Sequence, residues 1–550
     1  MNAIVRAIAV VTLLCGCLNA AAVDVHGDSA KVHAIDSIFE QWHNPNTPGC
    51  ALGIERKGEP LLTRTYGSAD LEHDVPISPS TIFEAGSVSK QFTAAAVLML
   101  AERRKLALTD DVRKYIPELP NYGTTITINQ LLGHTSGLRD WGEVEALAGW
   151  PRGSRVYTSG DALDVIARQK SLNFRPGTAY SYTNTGYNLL AAIVGRASKV
   201  SLAEFTHKNL FEPLGMKNTQ WRDDFRRIVK GRAIAYEANH GDYRQKMPFE
   251  DVYGHGGLLT TVGDLLIWND ALTSGRLGAF VTAEMERQTT LNDGRAIAYA
   301  RGLFVRLYQG DREISHDGAT AGYRAWLGRY PGQNLSIALL CNSDGADSPK
   351  LAHQVADVFL PPHSPPASMT LTSVQLAPYV GVFVDERMGL PMRLTLRAGS
   401  LWQGGARQLS PIAAREFRVG TSTIQFSSSD RFLLQSADGE GVQYRRVQAW
   451  LPKPSELQAL VGRYSSNEAL ATYRVSAIDG GLMLAPQDRQ GQTLVLKPLF
   501  AGTFEWGDND DGIVRFVRKG QSHATGFQMS NSRVRALLFR RASPTGSSDE

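Results

Sequence analysis

Two short apolar runs, Gly49-Cys50-Ala51-Leu52-Gly53-Ile54 and Leu61-Leu62-Thr63-Arg64-Thr65-Tyr66, flank the polar stretch Lys57-Gly58-Glu59-Pro60 and predict a β-hairpin. From about Ser87 to Glu102 the chain is apolar nearly all round a helical period, the pattern of a buried helix. Thr127-Ile128-Asn129-Gln130 reads as a capping box ahead of Leu131-Leu132. Thr261-Val262-Gly263-Asp264 gives the same signal ahead of Leu265-Leu266-Ile267-Trp268. A second hairpin is predicted where Arg324 to Tyr330 and Leu335 to Cys341 flank Pro331-Gly332-Gln333-Asn334. Strands at both ends with helices between predict an α+β domain whose termini share one sheet.

The pattern changes after Leu360-Pro361-Pro362-His363-Ser364-Pro365-Pro366, a stretch that cannot continue a helix and favours an extended chain. Beyond it, short alternating runs such as Met392-Arg393-Leu394-Thr395-Leu396 are punctuated by Gly, Ser and Asp, as in antiparallel sheet. This part is duplicated. Leu376-Ala377-Pro378-Tyr379-Val380-Gly381 parallels Leu457-Gln458-Ala459-Leu460-Val461-Gly462, and Tyr444-Arg445-Arg446 parallels Phe539-Arg540-Arg541. Two related units, each closing into a small barrel without free edges, satisfy the pattern. The expected layout is a leader over 1–22, a catalytic domain over 31–360, a linker over 361–370, β-barrels over 371–450 and 455–542, and a tail over 543–550.

Composition adds constraints. The 550 residues are 43% hydrophobic and 20% charged, enough for several packed domains. Lys+Arg 58 against Asp+Glu 54 lacks the basic excess of a nucleic-acid binder. Arg6, the apolar run Ala7 to Leu18 and Asn19-Ala20-Ala21-Ala22 form a secretory leader, too short for the roughly 20 residues of a bilayer span. Cleavage after Ala22 and lipidation at Cys17 are its two exits, and both make the protein periplasmic or secreted. Only Cys50 and Cys341 then remain, too few for a disulfide scaffold or a cysteine zinc cluster.

The chemistry centres on Ser87-Val88-Ser89-Lys90. Residues three apart share a helix face. A lysine in the first turn of a buried helix is partly desolvated, which disfavours its charge and lets it take a serine proton. A capping serine beside a snorkelling lysine is the alternative for this short match alone.

Two further motifs follow in order, Tyr182-Thr183-Asn184 and His316-Asp317-Gly318. The series Ser-x-x-Lys, Tyr-x-Asn, His-x-Gly resembles the serine β-lactamase and penicillin-binding-protein superfamily over roughly residues 35–360. Leu131-Leu132-Gly133-His134-Thr135-Ser136-Gly137-Leu138 and Phe211-Glu212-Pro213-Leu214-Gly215-Met216 are similar to phrases of that superfamily. The histidine in the third motif and the two trailing β-domains resemble the D-aminopeptidase type within it. The resemblance implies a β-lactamase/transpeptidase-like α+β catalytic domain followed by two small antiparallel β-barrel domains.

It also implies roles. Ser87 is the nucleophile, Lys90 its base and Tyr182 the partner in proton transfer, as a phenolate favoured by the neighbouring cation. Asn184 and His316 contact substrate, and Gly318 admits it close to the strand. The backbone N–H groups of Ser87 and Ala319 form the oxyanion hole. No metal or other cofactor is required. In the D-aminopeptidase type a loop of the last domain holds the substrate amine. The corresponding acidic stretch here, Glu505-Trp506-Gly507-Asp508-Asn509-Asp510-Asp511-Gly512, is shorter and reads equally as a solvated turn. The resemblance further implies that first and last strands pair, which sets Cys50 and Cys341 opposite each other, within reach of a bridge.

His316 replaces the fixed cation of most of the superfamily with a group of ordinary pKa near 6.5, which weakens selection for a substrate carboxylate. His134 and His255 read as ordinary structural histidines. The expected function is a secreted serine hydrolase that cleaves amide bonds of small or peptidoglycan-related peptides through an acyl-enzyme. An esterase or weak β-lactamase on the same site, and a non-catalytic sensor of cell-wall fragments, are the alternatives.

Overall fold

The computed structural model describes residues 29–362, 369–436, 438–487, 491–507, 512–518 and 524–542. The expected leader over 1–22, the centre of the proline-rich linker and the tail over 543–550 lie outside the described residues.

The catalytic domain is built on one six-stranded sheet. Its strands are β1 (Cys50–Arg56), β2 (Glu59–Tyr66), β3 (Phe304–Tyr308), β4 (Asp311–Thr320), β5 (Tyr323–Tyr330) and β6 (Leu335–Cys341), in the order β3-β4-β5-β6-β1-β2. First and last strands pair antiparallel, so the domain's two ends share the sheet. Cys50 stands opposite Cys341, and the two are joined by a disulfide. The first hairpin turns more tightly than its sequence suggests. Only Lys57 and Gly58 lie outside the strands, both at positive φ, as a two-residue hairpin turn needs. Glu59 and Pro60 enter β2, which proline tolerates because β2 is the edge strand.

Helices cover both sheet faces: α1 (Ser29–Ile38), α2 (Lys90–Glu102), α3 (Trp141–Leu147), α4 (Asn184–Ser198), α5 (Val262–Thr273) and α6 (Ser348–Asp357). Side chains alternate across a strand, and β1 and β6 divide accordingly. Ala51, Ala338 and Leu340 face the core with α2 and α5, whereas Leu52, Ile54, Ile337 and Leu339 face Ile35 of α1 and Val355 of α6. Burial on both faces explains why these strands are near-continuous apolar runs. Thr127 and Gln130 form the expected reciprocal box, whereas at the start of α5 only half of it forms: the Thr261 hydroxyl accepts from the Asp264 N–H, but the Asp264 carboxylate accepts from the Asn218 N–H and Thr219 Oγ1 instead.

Two closed eight-stranded antiparallel barrels follow, spanning 381–446 and 462–541. The sequence duplication has a physical basis. Arg446 donates to the Val380 carbonyl at 2.5 Å, and its counterpart Arg541 donates to the Val461 carbonyl, also at 2.5 Å. Each arginine thus ties the last strand of its barrel to the segment that enters the first. Among the described residues, no helix is long and apolar enough to cross a membrane.

Candidate active site

The Ser87-x-x-Lys90 segment bends before it becomes α-helical. Gly86–Ser89 forms a tight 3₁₀ turn, and α2 begins at Lys90. This turn and the helix share a face, so Lys90 Nζ donates to Ser87 Oγ at 3.1 Å. Lys90 is 0% exposed, and its ammonium also donates to Asn184 Oδ1 at 3.0 Å and to the His255 carbonyl at 2.7 Å. Three acceptors match its three hydrogens, which fixes the direction of the side chain. Burial nonetheless drives its pKa well below the usual lysine range, and the positive charge of Arg533 pushes the same way.

Asn184 is held by its neighbours. Thr183 caps α4, and Asp140 Oδ2 accepts from the Asn184 N–H at 2.6 Å and from Thr183 Oγ1 at 3.2 Å. Asp140 also caps α3 through the Gly142 and Glu143 N–H groups. One carboxylate therefore locks the Tyr-x-Asn segment to the start of α3.

Tyr182 packs over this centre. Lys90 Nζ lies 4.7 Å from its ring centroid, and the Arg533 guanidinium carbon 5.3 Å. Its hydroxyl is buried and forms no well-aligned hydrogen bond among the described residues. Burial raises the phenol's pKa, outweighing the lowering by the Ser87 hydroxyl and Arg533. The expected phenolate is thus corrected: desolvation opposes the anion more strongly than the cations favour it, and Tyr182 keeps its proton.

His316 is 2% exposed, within a group of rings that includes Tyr182, Tyr299 and Phe304. Its Nδ1 pairs with the Asp317 carbonyl at 2.6 Å. Burial lowers its pKa to about 4 although Asp317 works against the shift, so the ring is neutral near pH 7.

His134 and His255, read from sequence as ordinary structural residues, border the reaction centre. The His134 ring is centred 4.3 Å from that of Tyr182, and its Nδ1 accepts from the Thr183 N–H at 3.2 Å. His255 supplies the carbonyl that receives Lys90, and its Nδ1 accepts from Asn188 Nδ2 at 2.8 Å. Burial drives both imidazoles well below the ordinary range. A lone histidine carries no signal that separates these roles.

Gly318 and Ala319 lie on β4, where it runs past the Ser87 turn. A Cβ on Gly318 would fall 2.1 Å from the Ala85 carbonyl oxygen and 3.1 Å from the Ser87 nitrogen. A Cβ on Gly86 would fall 2.6 Å from the Ala319 nitrogen. Two facing glycines therefore let the Ser87 and Ala319 backbones approach each other. Gly86, which the motif reading passed over, is half of this contact.

Loops from both barrels wall the site. Glu440 of the first barrel accepts from the Tyr180 N–H at 3.3 Å. The 531–536 loop of the second barrel brings Arg533 over Tyr182. In the acidic stretch considered from sequence, Glu505 is buried and paired with Arg393, while 508–511 lie outside the described residues.

A buried lysine on a serine, a tyrosine above both and a strand edge beside them define a serine hydrolase of the β-lactamase type. A family model for Beta-lactamase matches residues 35–359, and the chain belongs to that family. Over 526 residues it is 24% identical to a D-aminopeptidase of Brucella anthropi, covering 91% of this chain and 96% of that one. The fold is similar to that of an octameric penicillin-binding protein homologue from Pyrococcus abyssi, with TM-score 0.55, 20% identity and coverage of 83% of this chain and 98% of that one. It is also similar to a D-amino acid amidase from Ochrobactrum anthropi SV3 solved with D-phenylalanine, with TM-score 0.52, 21% identity and coverage of 60% and 99%.

Proposed function

We propose that the protein is a D-aminopeptidase-like amidase that hydrolyses small peptide amides through an acyl-serine. The observation that carries this reading is the contact of buried Lys90 with Ser87 Oγ. Neutral Lys90 takes the Ser87 proton as Oγ attacks the amide carbonyl, and the oxyanion is received by the backbone N–H groups of Ser87 and Ala319. The C–N bond then breaks. The phenolic proton of Tyr182 passes to the departing amine, and Lys90 returns a proton to Tyr182. Water attacks the acyl-serine by the same route in reverse and releases the acid. Asn184 holds Lys90 and presents its amide to the substrate. The length-spanning similarity to a D-aminopeptidase supports amide chemistry over ester or β-lactam turnover.

Export to an oxidising compartment is part of the proposal. The Cys50–Cys341 disulfide supports it, because such bonds persist outside the reducing cytosol.

The test is intact-mass labelling with a fluorophosphonate, together with hydrolysis of matched D- and L-aminoacyl amides, short esters and a chromogenic cephalosporin. Ser87→Ala should abolish labelling and lower turnover by roughly 10³–10⁶-fold. Labelling that survives the substitution would place the nucleophile elsewhere. Turnover of the esters or of the cephalosporin with none of any amide would overturn the amidase assignment.

A further inference from the structure

The last two strands of the second barrel, Ala524–Ser530 and Leu537–Arg541, are joined by a loop that docks on the catalytic domain. Backbone atoms carry most of the docking, helped by the Asn531 and Arg535 side chains. The Arg533 carbonyl accepts from the Asp140 N–H at 3.3 Å and from Asn173 Nδ2 at 2.8 Å. The Arg535 N–H donates to Asn173 Oδ1 at 2.8 Å. Fully buried Arg139 donates to the carbonyls of Arg535 and Ala536 at 2.9 and 3.1 Å. Asn531 ties the loop to Glu143 at 2.7 Å. The loop is thus fixed without using the Arg533 side chain, which extends over the Tyr182 ring.

The other positive groups near Ser87 are committed or neutral; Arg324, opposite Ala319 on β5, donates to the Ala321 and Tyr323 carbonyls. Arg152 and Arg222 pair with Glu250, and Arg306 lies 3.7 Å from Asp438. Lys90 is spent on Ser87, Asn184 and the His255 carbonyl. His316, where most of the superfamily carries a cation, is buried among rings. Half-buried Arg533 forms no salt bridge among the described residues, and its planar fork of donors suits a carboxylate.

We propose that Arg533, supplied by the second barrel, is a specificity-determining residue that receives a carboxylate of the substrate, so that the enzyme prefers small peptides bearing a free carboxylate near the scissile amide. The inference rests on the acyl-serine reading.

The test compares two fluorophosphonates that differ only in carrying a carboxylate or a carboxamide. The readout is the ratio of their second-order rates of Ser87 labelling, which cancels any change in nucleophile reactivity common to both. The full chain should favour the carboxylate probe, and Arg533→Ala should lower the ratio on the order of 10- to 100-fold, the range for a lost hydrogen bond to a charged group. Arg533→Lys should recover part of the ratio, and Arg533→Glu should invert it. Because mainly backbone atoms hold the loop, these variants should keep the fold; if the alanine variant does not, Arg533→Gln replaces it. Ser87 labelling with a ratio that no variant changes overturns the assignment of Arg533 alone. Absence of labelling by both probes overturns the acyl-serine reading, and the inference with it.

Discussion

Gly86 and Gly318 face each other across the Ser87 turn and strand β4, and neither position has room for a side chain. A methyl on Gly318 would meet the Ala85 carbonyl oxygen at 2.1 Å, and one on Gly86 would meet the Ala319 nitrogen at 2.6 Å. Gly86 also has φ of +51°, which an alanine adopts only with strain. Gly318→Ala should therefore push β4 away from Ser87 and widen the gap between the two backbone amides. Loss of one oxyanion donor costs about 10²–10³-fold in kcat. A kcat within a few-fold of wild type on any turned-over amide would show that the amides do not act together.

Activity should rise with pH along a limb set by Lys90. Only the neutral amine accepts the Ser87 proton, and burial together with Arg533 holds Lys90 well below the ordinary value of about 10.4. Removing the arginine's charge relieves repulsion of the ammonium, so Arg533→Gln should move the limb to higher pH. Profiles of kcat/KM against pH for both proteins check this. A limb that stays in place or moves down would contradict the electrostatic link.

Buried neutral histidines should make the fold sensitive to acid. His134, His255 and His316 all have lowered pKa values through burial, with His316 at about 4. The unfolded chain takes up their protons near 6.5, so below that pH it binds more protons than the folded one. Stability should be complete above about 6.5 and fall as pH drops towards 4, by up to about 1.4 kcal/mol per pH unit for each histidine. Urea midpoints at about pH 7 and about pH 5 measure the slope, and His316→Gln should flatten it. Equal midpoints at the two pH values would rule the mechanism out.

Cys50 and Cys341 close a loop of 291 residues across the paired first and last strands. Reduction, or the double substitution Cys50→Ala/Cys341→Ala, should destabilise the catalytic domain by roughly 2–5 kcal/mol, chiefly by freeing the unfolded chain. Denaturant melts with and without reductant report the change. The active site lies outside this bond, so labelling of Ser87 by a fluorophosphonate should persist in the folded double variant.

Much of this molecule was legible along the chain because its signals are local or periodic. The buried helix Lys90–Glu102, the capped starts at Thr127 and Thr261 and the paired barrels each follow from neighbouring residues and alternation, whereas the tight 3₁₀ turn over Gly86–Ser89 does not. The cysteine pairing was legible because the resemblance supplied a strand order and the two hairpins offset the cysteines equally from their turns. Tyr182 stands out by its motif, but burial opposes the phenolate that the neighbouring cation suggests. Sequence shows the cation beside it and not the depth of burial that opposes ionisation.

What the sequence determined by itself is the set of elements and the motif-bearing groups, since hydrophobic periodicity, caps and three ordered motifs are written in adjacent residues. What only the tertiary structure decided is the company those groups keep. Arg139 and Arg535 meet across 396 positions, and their contact helps deliver Arg533 to Tyr182. Gly86 matters only because β4 passes over it, and His134 only because the Tyr-x-Asn segment folds back against its ring. Such contacts arise when apolar faces from distant segments bury one another, and no pattern within either segment states which partner it will find.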